Sequence, residues 1–380
     1  MQHSASRLAG AAAHPPAPVS LPPDQFLDLL DRLPPTLDLD KLARKTHAIQ
    51  RAREVTNGRD LLRIALARGP GGLSLKETAA WGTLLGLAEI SAPGMKKLLD
   101  RSAAFLNAVM ASQLAAQSPG GALRWTGRCL RCGDGTSISK PGSKGTDWRI
   151  HAVYDLGRGG FSHLEVTDQH GGEAINRGAP IAGEIRICDR NYATAPSLHR
   201  FRQESANQAD FIVRVRWRGF SLSRPDRTDF DLITHLGTLP NDQLPHEVMV
   251  QARLGPLDPP LPLRLVILRK TPEATEQARK KLRQDASRKQ KTLDPRSLVA
   301  AEFIVLGTAL PAETYPAEEV LAAYRLRWQI ELAFKRLKSL LHINALPTHT
   351  EAASRCWLLA HLILALLCDD YSQEFLESSP

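Results

Sequence analysis

Residues 324–338, YRLRWQIELAFKRLK, predict one helix with two chemically different faces. The stretch contains no Gly or Pro, and Pro316 upstream suits the first turn of a helix. At about 100° per residue, apolar side chains share one face: Leu326, Ile330, Ala333, Phe334, Leu337 and Leu341. Polar side chains form a separate stripe roughly 80° wide: Tyr324, Arg327, Glu331, Lys335 and Lys338. The apolar face therefore predicts packing against a hydrophobic core.

The polar stripe places one carboxylate among three cations and a phenol, and it admits two interpretations. Glu and Lys at these spacings pair on ordinary solvated helices. The same set could equally belong to an active site. The charge pattern alone does not decide between them, so the rest of the chain has to.

Composition favours a soluble protein with an anionic partner. The chain has 380 residues, which suggests two or three domains. Hydrophobic residues make up 43% and charged residues 23%, as in ordinary globular proteins. Lys and Arg number 49 against 40 Asp and Glu, which gives a net charge of +9 and a pI near 9.5. This surplus favours a polyanion, and nucleic acid first.

The cysteines and the apolar segments predict a cytoplasmic protein without a membrane span. Cys129 and Cys132 form one CxxC motif with no second pair, which disfavours a zinc knuckle, and we expect both to be reduced and buried. The N-terminus lacks the pattern of a signal peptide. The longest apolar run, Trp357 to Cys368, is short for a bilayer and predicts a buried helix.

The N-terminal third predicts helices after a disordered tail at residues 1–22. Residues 24–117 form an expected helical, DNA-binding domain. Ser74 and Glu77 fit a capping box, and Ser91 starts a further helix. A helix-turn-helix and a plain helical bundle are equally compatible with this pattern.

From Gly120 onward the apolar pattern changes to a period of two, which predicts strands. Three strands follow in sequence: GRCLRCGD, DWRIHAVYDL and FSHLEVTD. GEIRICDRNY predicts a fourth strand, residues 195–203 a helix, and ADFIVRVRW a fifth strand. Three antiparallel strands, then a helix and parallel strands, are the order expected of a ribonuclease H-like core.

Residues 218–306 predict a mostly β insertion into that core. Its strand-like segments are DLITHLGTL, HEVMVQARL and LRLVILRK, followed by a charged stretch from Glu273 to Lys291. The expected fold is therefore α/β: a ribonuclease H-like catalytic domain at 120–217 and 307–370, with the insertion at 218–306.

Two aspartates follow predicted strands and could meet Glu331. Asp134 lies in CGDGTS and Asp189 in ICDRNY, each at the expected end of a strand. Three oxygen donors with open positions suit Mg²⁺ or Mn²⁺. Two such ions roughly 3.5–4 Å apart can activate a water or a 3′-hydroxyl and stabilise the leaving oxygen.

These residues resemble the DDE transposases of bacterial insertion sequences, in the insertion sequence four family. Its Tyr-x2-Arg-x3-Glu-x6-Lys signature is met by the stripe, since 327 − 324 is 3, 331 − 327 is 4 and 338 − 331 is 7. DGT at Asp134 is similar to the first acidic motif of the family, and DRNY at Asp189 to the second. Asn191 departs from the usual Gly there, and Asn tolerates left-handed backbone.

The resemblance implies metal-dependent DNA cleavage at transposon ends and strand transfer by the freed 3′-hydroxyl. It implies Asp134, Asp189 and Glu331 as catalytic and metal-binding residues, with two Mg²⁺ (or Mn²⁺) ions. Tyr324, Arg327 and Lys338 would hold phosphates; Lys335 is added by its place on the stripe. The interval 331 − 189, or 142 residues, leaves room for the β insertion.

The implied partners are double-stranded DNA of the transposon ends and of the target, and a second copy of the chain in a homodimer on DNA. No membrane is implied, and the protein is expected in the cytoplasm, on the nucleoid when bound to DNA.

Two alternatives remain open at this point. The first is a catalytically inactive or truncated transposase-derived DNA-binding protein, because the chain ends 42 residues after Lys338 (380 − 338). The second is a ribonuclease H-like nuclease or resolvase unrelated to transposition, which the matched signature disfavours.

Other polar residues carry weaker predictions. Asp147 and Asp168, also at predicted strand ends, are expected to shape turns or to support the ligand residues, and His151 is expected in the core. Arg190 and Tyr192 could touch DNA or shape the turn after Asp189. Trp217, in the basic stretch RVRWR, is expected to pack, although it could stack on an extruded base.

Overall fold

The computed structural model describes residues 25–50, 55–118, 121, 124–255 and 259–378. The predicted disordered tail, residues 1–22, lies outside these ranges. The N-terminal third is helical, as expected: α1 (Gln25–Leu30), α2 (Leu39–Lys45), α3 (Gly58–Arg68), α4 (Leu75–Leu84), α5 (Ala92–Arg101) and α6 (Ala103–Ala116).

In the described part of the chain, the strands form one mixed sheet of nine. They are β1 (Cys129–Ile138), β2 (Trp148–Asp155), β3 (Gly160–Asp168), β4 (Glu184–Cys188), β5 (Asp210–Arg214), β6 (Leu222–Ser223), β7 (His246–Ala252), β8 (Leu261–Arg269) and β9 (Phe303–Thr308). The later helices are α7 (Ala195–Glu204), α8 (Leu232–Thr238), α9 (Pro272–Arg288), α10 (Pro295–Ala300), α11 (Ala317–Arg325), α12 (Trp328–Ser339) and α13 (Glu351–Ser378).

The first five strands lie in the order β3-β2-β1-β4-β5. β1, β2 and β3 pair antiparallel, whereas β1 with β4 and β4 with β5 pair parallel. The connection from β4 to β5 contains α7, as a parallel crossover requires. This confirms the predicted succession of antiparallel and then parallel strands.

The segment predicted as an insertion extends the same sheet. β9 pairs antiparallel with β5 on one side and with β8 on the other, and β7 and β6 continue to the edge. The boundaries of a separate insertion domain stay a prediction.

The strand expected at DLITHLGTL is wrong, because this segment forms α8. Asp231 caps the helix by accepting from the backbone N–H of Thr234 at 2.6 Å. Leu232 and Leu236, four residues apart, are both buried, so the helical period places them on one face.

The apolar run near the C-terminus is a core helix. Residues 351–369 of α13 have the length and mean hydropathy, 1.5, of a membrane span, but 72% of that window is buried inside the protein. The helix packs against α3, α5, α6 and β3, so it joins the N-terminal helices to the sheet. The buried helix predicted there is confirmed.

Helix starts in the N-terminal third follow the expected capping chemistry. Ser74 and Glu77 form the predicted capping box, with backbone-to-side-chain bonds of 2.7 and 3.2 Å. Ser91 caps α5 through the N–H of Gly94.

The single helix predicted over residues 324–338 is wrong, because the chain breaks between α11 and α12. The N–H groups of Leu326, Arg327 and Gln329 bond to carbonyls three residues back, at 3.0–3.1 Å. This winds the backbone more tightly than an α-helix. Tyr324 consequently lies on α11, whereas Glu331 lies on α12.

The predicted apolar face is confirmed within α12. Ile330, Ala333, Phe334 and Leu337 are buried, and α12 packs against β1 and β2.

Below the site, a buried network of charges joins β1, β2 and β4. Glu184 is 0% exposed and accepts from Arg186 Nε at 2.5 Å. Arg131 Nη1 lies 3.8 Å from Glu184, and Arg131 Nε donates to buried Asp155 at 3.2 Å. Arg186 also donates to three backbone carbonyls. The network ties the β4 strand to its neighbours.

We expect Glu184→Ala to lower the free energy of unfolding by about 3–5 kcal/mol, because Arg186 would keep a buried charge without its partner. Urea unfolding measures this loss. Glu276→Ala is the control, since its partner Arg283 is exposed and the pair contributes little. Equal, small effects of both substitutions would contradict the account.

Candidate active site

The parallel pairing of β1 with β4 brings the two predicted aspartates level. The last paired positions are Gly133 and Cys188, so Asp134 and Asp189 come next on adjacent strands. The prediction that Asp134 lies at the end of a strand is wrong. β1 continues to Ile138 because its antiparallel partner β2 extends further than β4 does.

Asp134 is a strongly perturbed carboxyl group. Gly135 N–H donates to its Oδ1 at 2.8 Å. Burial, the largest influence, raises the pKa of Asp134 to about 6. The negative charges of Asp189 and Glu331 act in the same direction, while Gly135 and Arg327 oppose it. The ionised group would therefore gain from an additional nearby cation.

Arg327 connects the aspartate on the sheet with the glutamate on α12. Its Nη2 donates to Glu331 Oε1 at 2.5 Å, and its Nη1 lies 3.5 Å from Asp134 Oδ2. The residue sits at the break between α11 and α12. Cys132 Sγ, on β1, contacts the carbonyl of Leu326 at 3.8 Å and holds this break against the sheet.

Tyr324, the first residue of the signature, is partly buried beside the same charges. Burial is the largest influence and raises the pKa of its phenol. The charges of Arg327 and Arg214 lower that pKa, and the charge of Asp189 raises it. The residue thus lies near the carboxylates although it belongs to the other helix.

Lys335 and Lys338 line an open cleft of about 470 Å³ together with Asp134, Thr136 and Glu331. Lys335 is exposed and Lys338 half-buried. Neither forms an ion pair with a residue in the described part of the chain. The cleft therefore presents free positive charge next to the carboxylates.

A ready-made three-ligand metal site is absent from the described residues, since no three His, Cys, Asp or Glu groups lie close enough together. Asp189 Oδ1 instead accepts from the N–H of Asn191 at 2.6 Å. The oxygen donors fit a divalent cation. The carboxylates of Asp134 and Glu331 both contact the Arg327 guanidinium. Because burial raises the pKa of Asp134, a nearby cation would favour its ionised form. The ligand assignment stays a prediction.

The turn after Asp189 is kept without left-handed backbone. Asn191 has no positive φ. Its side-chain oxygen accepts from Arg216 instead, which fixes the turn against the end of β5. The expected left-handed tolerance of Asn is therefore not used.

The weaker candidates adopt mainly structural roles. Asp147 accepts from Lys140 N–H and Asp168 from His170 N–H, both in turns. His151 is 1% exposed, in the core as expected. Arg218 and Arg296 cover Trp217, at 4.3 and 4.7 Å from its ring centroid, which favours packing.

Tyr192 is buried, and its hydroxyl limits the space at Gly135. A Cβ on Gly135 would lie 3.0 Å from Tyr192 Oη and 3.5 Å from His151 Nδ1. The motif DGT therefore needs glycine here for close packing beneath Asp134.

Arg214 is a further residue near the site, and it was not predicted from the sequence. It ends β5, and its charge reaches both Tyr324 and Lys270. The basic stretch RVRWR was the only signal, and it pointed to Trp217 instead.

The chain is similar in sequence to known transposases. The family described as "Transposase DDE domain" matches residues 125–367. The "Transposase for insertion sequence element IS421" of Escherichia coli is 36% identical over 360 residues, covering 94% of this chain and 96% of the relative. The IS231F transposase of Bacillus thuringiensis subsp. israelensis is 27% identical over 217 residues, 57% of this chain and 40% of the relative.

Among solved structures, the piggyBac transposase synaptic complex with hairpin DNA aligns with a TM-score of 0.48 and 9% identity. The alignment covers 94% of this chain and 76% of that chain.

We expect Asp134→Asn to stabilise the metal-free protein at pH 7 by about 1–3 kcal/mol. The pKa of about 6 in the folded protein lies above the value of about 3.9 in an unfolded chain, so ionisation costs stability as pH rises through this interval. Urea unfolding with a chelator present measures it. Asp147→Asn should act oppositely, because the Lys140 N–H lowers the pKa of Asp147. A loss of stability in Asp134→Asn would contradict a raised pKa of Asp134 in the folded protein.

Proposed function

This chain belongs to the family of transposases with a DDE domain, and we propose that it cleaves DNA at the ends of an insertion sequence and joins the freed 3′ ends to target DNA. In the first step, water attacks a phosphodiester and releases a 3′-hydroxyl. In the second step, that hydroxyl attacks a target phosphodiester, and the target's own 3′-oxygen leaves. The observation that supports the proposal is the contact of Arg327 with both Asp134 and Glu331. Asp189 follows the neighbouring strand beside Asp134.

The catalytic centre consists of Asp134, Asp189 and Glu331. These carboxylates would hold Mg²⁺ or Mn²⁺, and two such ions would stabilise charge on the attacking and leaving oxygens. In the protein without metal, Arg327 partly neutralises Asp134 and Glu331. This explains how acidic groups are kept close to one another before a cation binds.

The phosphate grip consists of Tyr324, Arg327, Lys335 and Lys338. Lys335 and Lys338 stand one turn apart on α12 and line the cleft that contains Asp134. Arg suits two-point contact with phosphate oxygens, whereas Lys acts as a point charge. A DNA strand in the cleft would thus meet cations immediately beside the carboxylates.

The fold proposal is a ribonuclease H-like catalytic domain, residues 120–217 and 307–370. It is supported by the strand order β3-β2-β1-β4-β5 with the parallel β1-β4-β5 set. The helices within 24–117 act as the DNA-binding domain, and residues 218–306 as the β-rich insertion.

The partners in this proposal are duplex DNA from transposon ends and target, bound by a homodimer in the cytoplasm on the nucleoid. The net charge of +9 supports a DNA partner. The competing function is a DNA-binding protein without catalysis. The arrangement that favours it is the lack of a closed three-carboxylate set among the described residues.

A nicking assay separates the two functions. With Mg²⁺ or Mn²⁺, wild type should cut a duplex carrying the terminal inverted repeat found beside the coding region. Asp134→Ala, Asp189→Ala and Glu331→Ala should each reduce cutting by on the order of a thousandfold or more while DNA binding persists. Retarded gel mobility measures binding in the same samples.

Asp168→Ala is the matched control, because this carboxylate caps a turn at the end of β3 and should leave cutting unchanged. Full cutting by Glu331→Ala would remove Glu331 from the centre. No cutting by wild type with either metal would favour the non-catalytic alternative.

A further inference from the structure

A second group of basic side chains lies beside the carboxylates, away from α12. Its members are Arg190, Arg214 and Lys270, and we call this group the flank surface. Lys335 and Lys338 lie on α12, which packs over β1 and β2. The flank surface lies at β4, β5 and β8 instead, where α11 packs against the sheet. The acidic centre is therefore bordered by cations on both sides.

The topology of the sheet brings the flank surface to the edge that carries the aspartates. β1, β4 and β5 are parallel. β8 is antiparallel to β9, which is antiparallel to β5, so β8 runs in the same direction as β5. Arg214 ends β5 and Lys270 follows β8. With strands about 4.8 Å apart, β8 lies three strands, roughly 14 Å, from β4. Arg214 is level with Val266 across β9, so Lys270 lies four residues further along the strand direction than Arg214.

The cations of the flank surface have no ion-pair partner among the described residues. Arg279, which lines a cleft together with Lys270, is by contrast paired with Glu302. Arg190, Arg214 and Lys270 form no ion pair with the described residues, and Lys270 Nζ donates only to the carbonyl of Ala301, at 2.5 Å. Three cations without an ion-pair partner in the described part of the chain favour an anion from outside.

Lys270 interacts with the charges of both Arg214 and Arg190. Partial burial, followed by the charges of Arg214 and Arg190, lowers the pKa of Lys270 to about 8. Like charges that repel in the free protein are relieved when a phosphate binds between them. The closeness of these positive charges therefore favours binding of an anion.

Space is available beyond Lys270. The residue lines a cleft of about 360 Å³ with two further cations, Arg269 and Arg279, and two carboxylates, Asp242 and Glu302. Next to it starts α9, a helix of 17 residues with no buried side chain. A long polyanion could thus continue past Lys270 without meeting the core.

We propose that the flank surface holds the DNA backbone on the far side of the scissile phosphate: donor flanking DNA before cleavage, and target DNA before strand transfer. The inference rests on the proposed function. Lys335 and Lys338 then hold the transposon end on one side of the carboxylates, and Arg214 and Lys270 hold the other DNA segment.

Two DNA substrates test this assignment. One is the terminal inverted repeat with flanking duplex attached, and the other is the same repeat already cut at its end. The double variant Arg214→Ala/Lys270→Ala should bind the flanked duplex on the order of tenfold more weakly, for two lost phosphate contacts, and the pre-cut duplex normally. Lys338→Ala should weaken both.

Strand transfer of the pre-cut end into plasmid DNA distinguishes the two sources of the DNA segment. A defect in flanked-duplex binding alone assigns the surface to donor flank, a defect in transfer alone assigns it to target, and both defects assign it to both. In a protein with native Arg214, Lys270→Arg keeps the positive charge at position 270. It should therefore bind DNA like wild type and lack the defect that Lys270→Ala causes.

Arg253→Ala is the control, because it removes one positive charge at the opposite edge of the sheet, after β7. Equal weakening on both duplexes would place the surface on the transposon end, and wild-type behaviour on all substrates would show that it binds no DNA; either result overturns the inference. If wild type itself cuts no end, the proposed function fails separately.

Discussion

The site depends on Glu184, a fully buried carboxylate that holds β4 beside β1. Arg186 and Arg131 supply its charge partners from the two strands. A slip of one residue would turn these side chains to the opposite face and leave buried charges unpaired, which is costly. The register that results pairs Gly133 with Cys188, and so places Asp134 and Asp189 side by side.

Above this register, Arg327 sets the balance of charge. The break between α11 and α12 lets it reach both Glu331 and Asp134. Its positive charge does not overcome the burial of Asp134, whose pKa stays near 6. The centre is thus under-neutralised, while Lys335 on one side and Lys270 on the other remain available to phosphates. Carboxylates for metal and cations for DNA occupy one sheet edge.

Local features of this arrangement could be predicted from the sequence. The apolar face of α12 and the succession of the first five strands follow from short-range periodicity, which the chain obeys. Features that depend on distant partners could not. β1 extends past Asp134 because β2 accompanies it, and the break before α12 contacts the distant Cys132 on the sheet. Arg214 and Lys270, 56 residues apart (270 − 214), meet only through the strand order.

Direct measurement of Mn²⁺ binding tests the claim that Asp134, Asp189 and Glu331 form one metal-dependent centre. Electron paramagnetic resonance can count Mn²⁺ ions bound to the complex with transposon-end DNA. We expect bound Mn²⁺ in wild type, and loss of that binding in Asp189→Asn with DNA still held. Unchanged Mn²⁺ binding in Asp189→Asn would remove Asp189 from the metal centre.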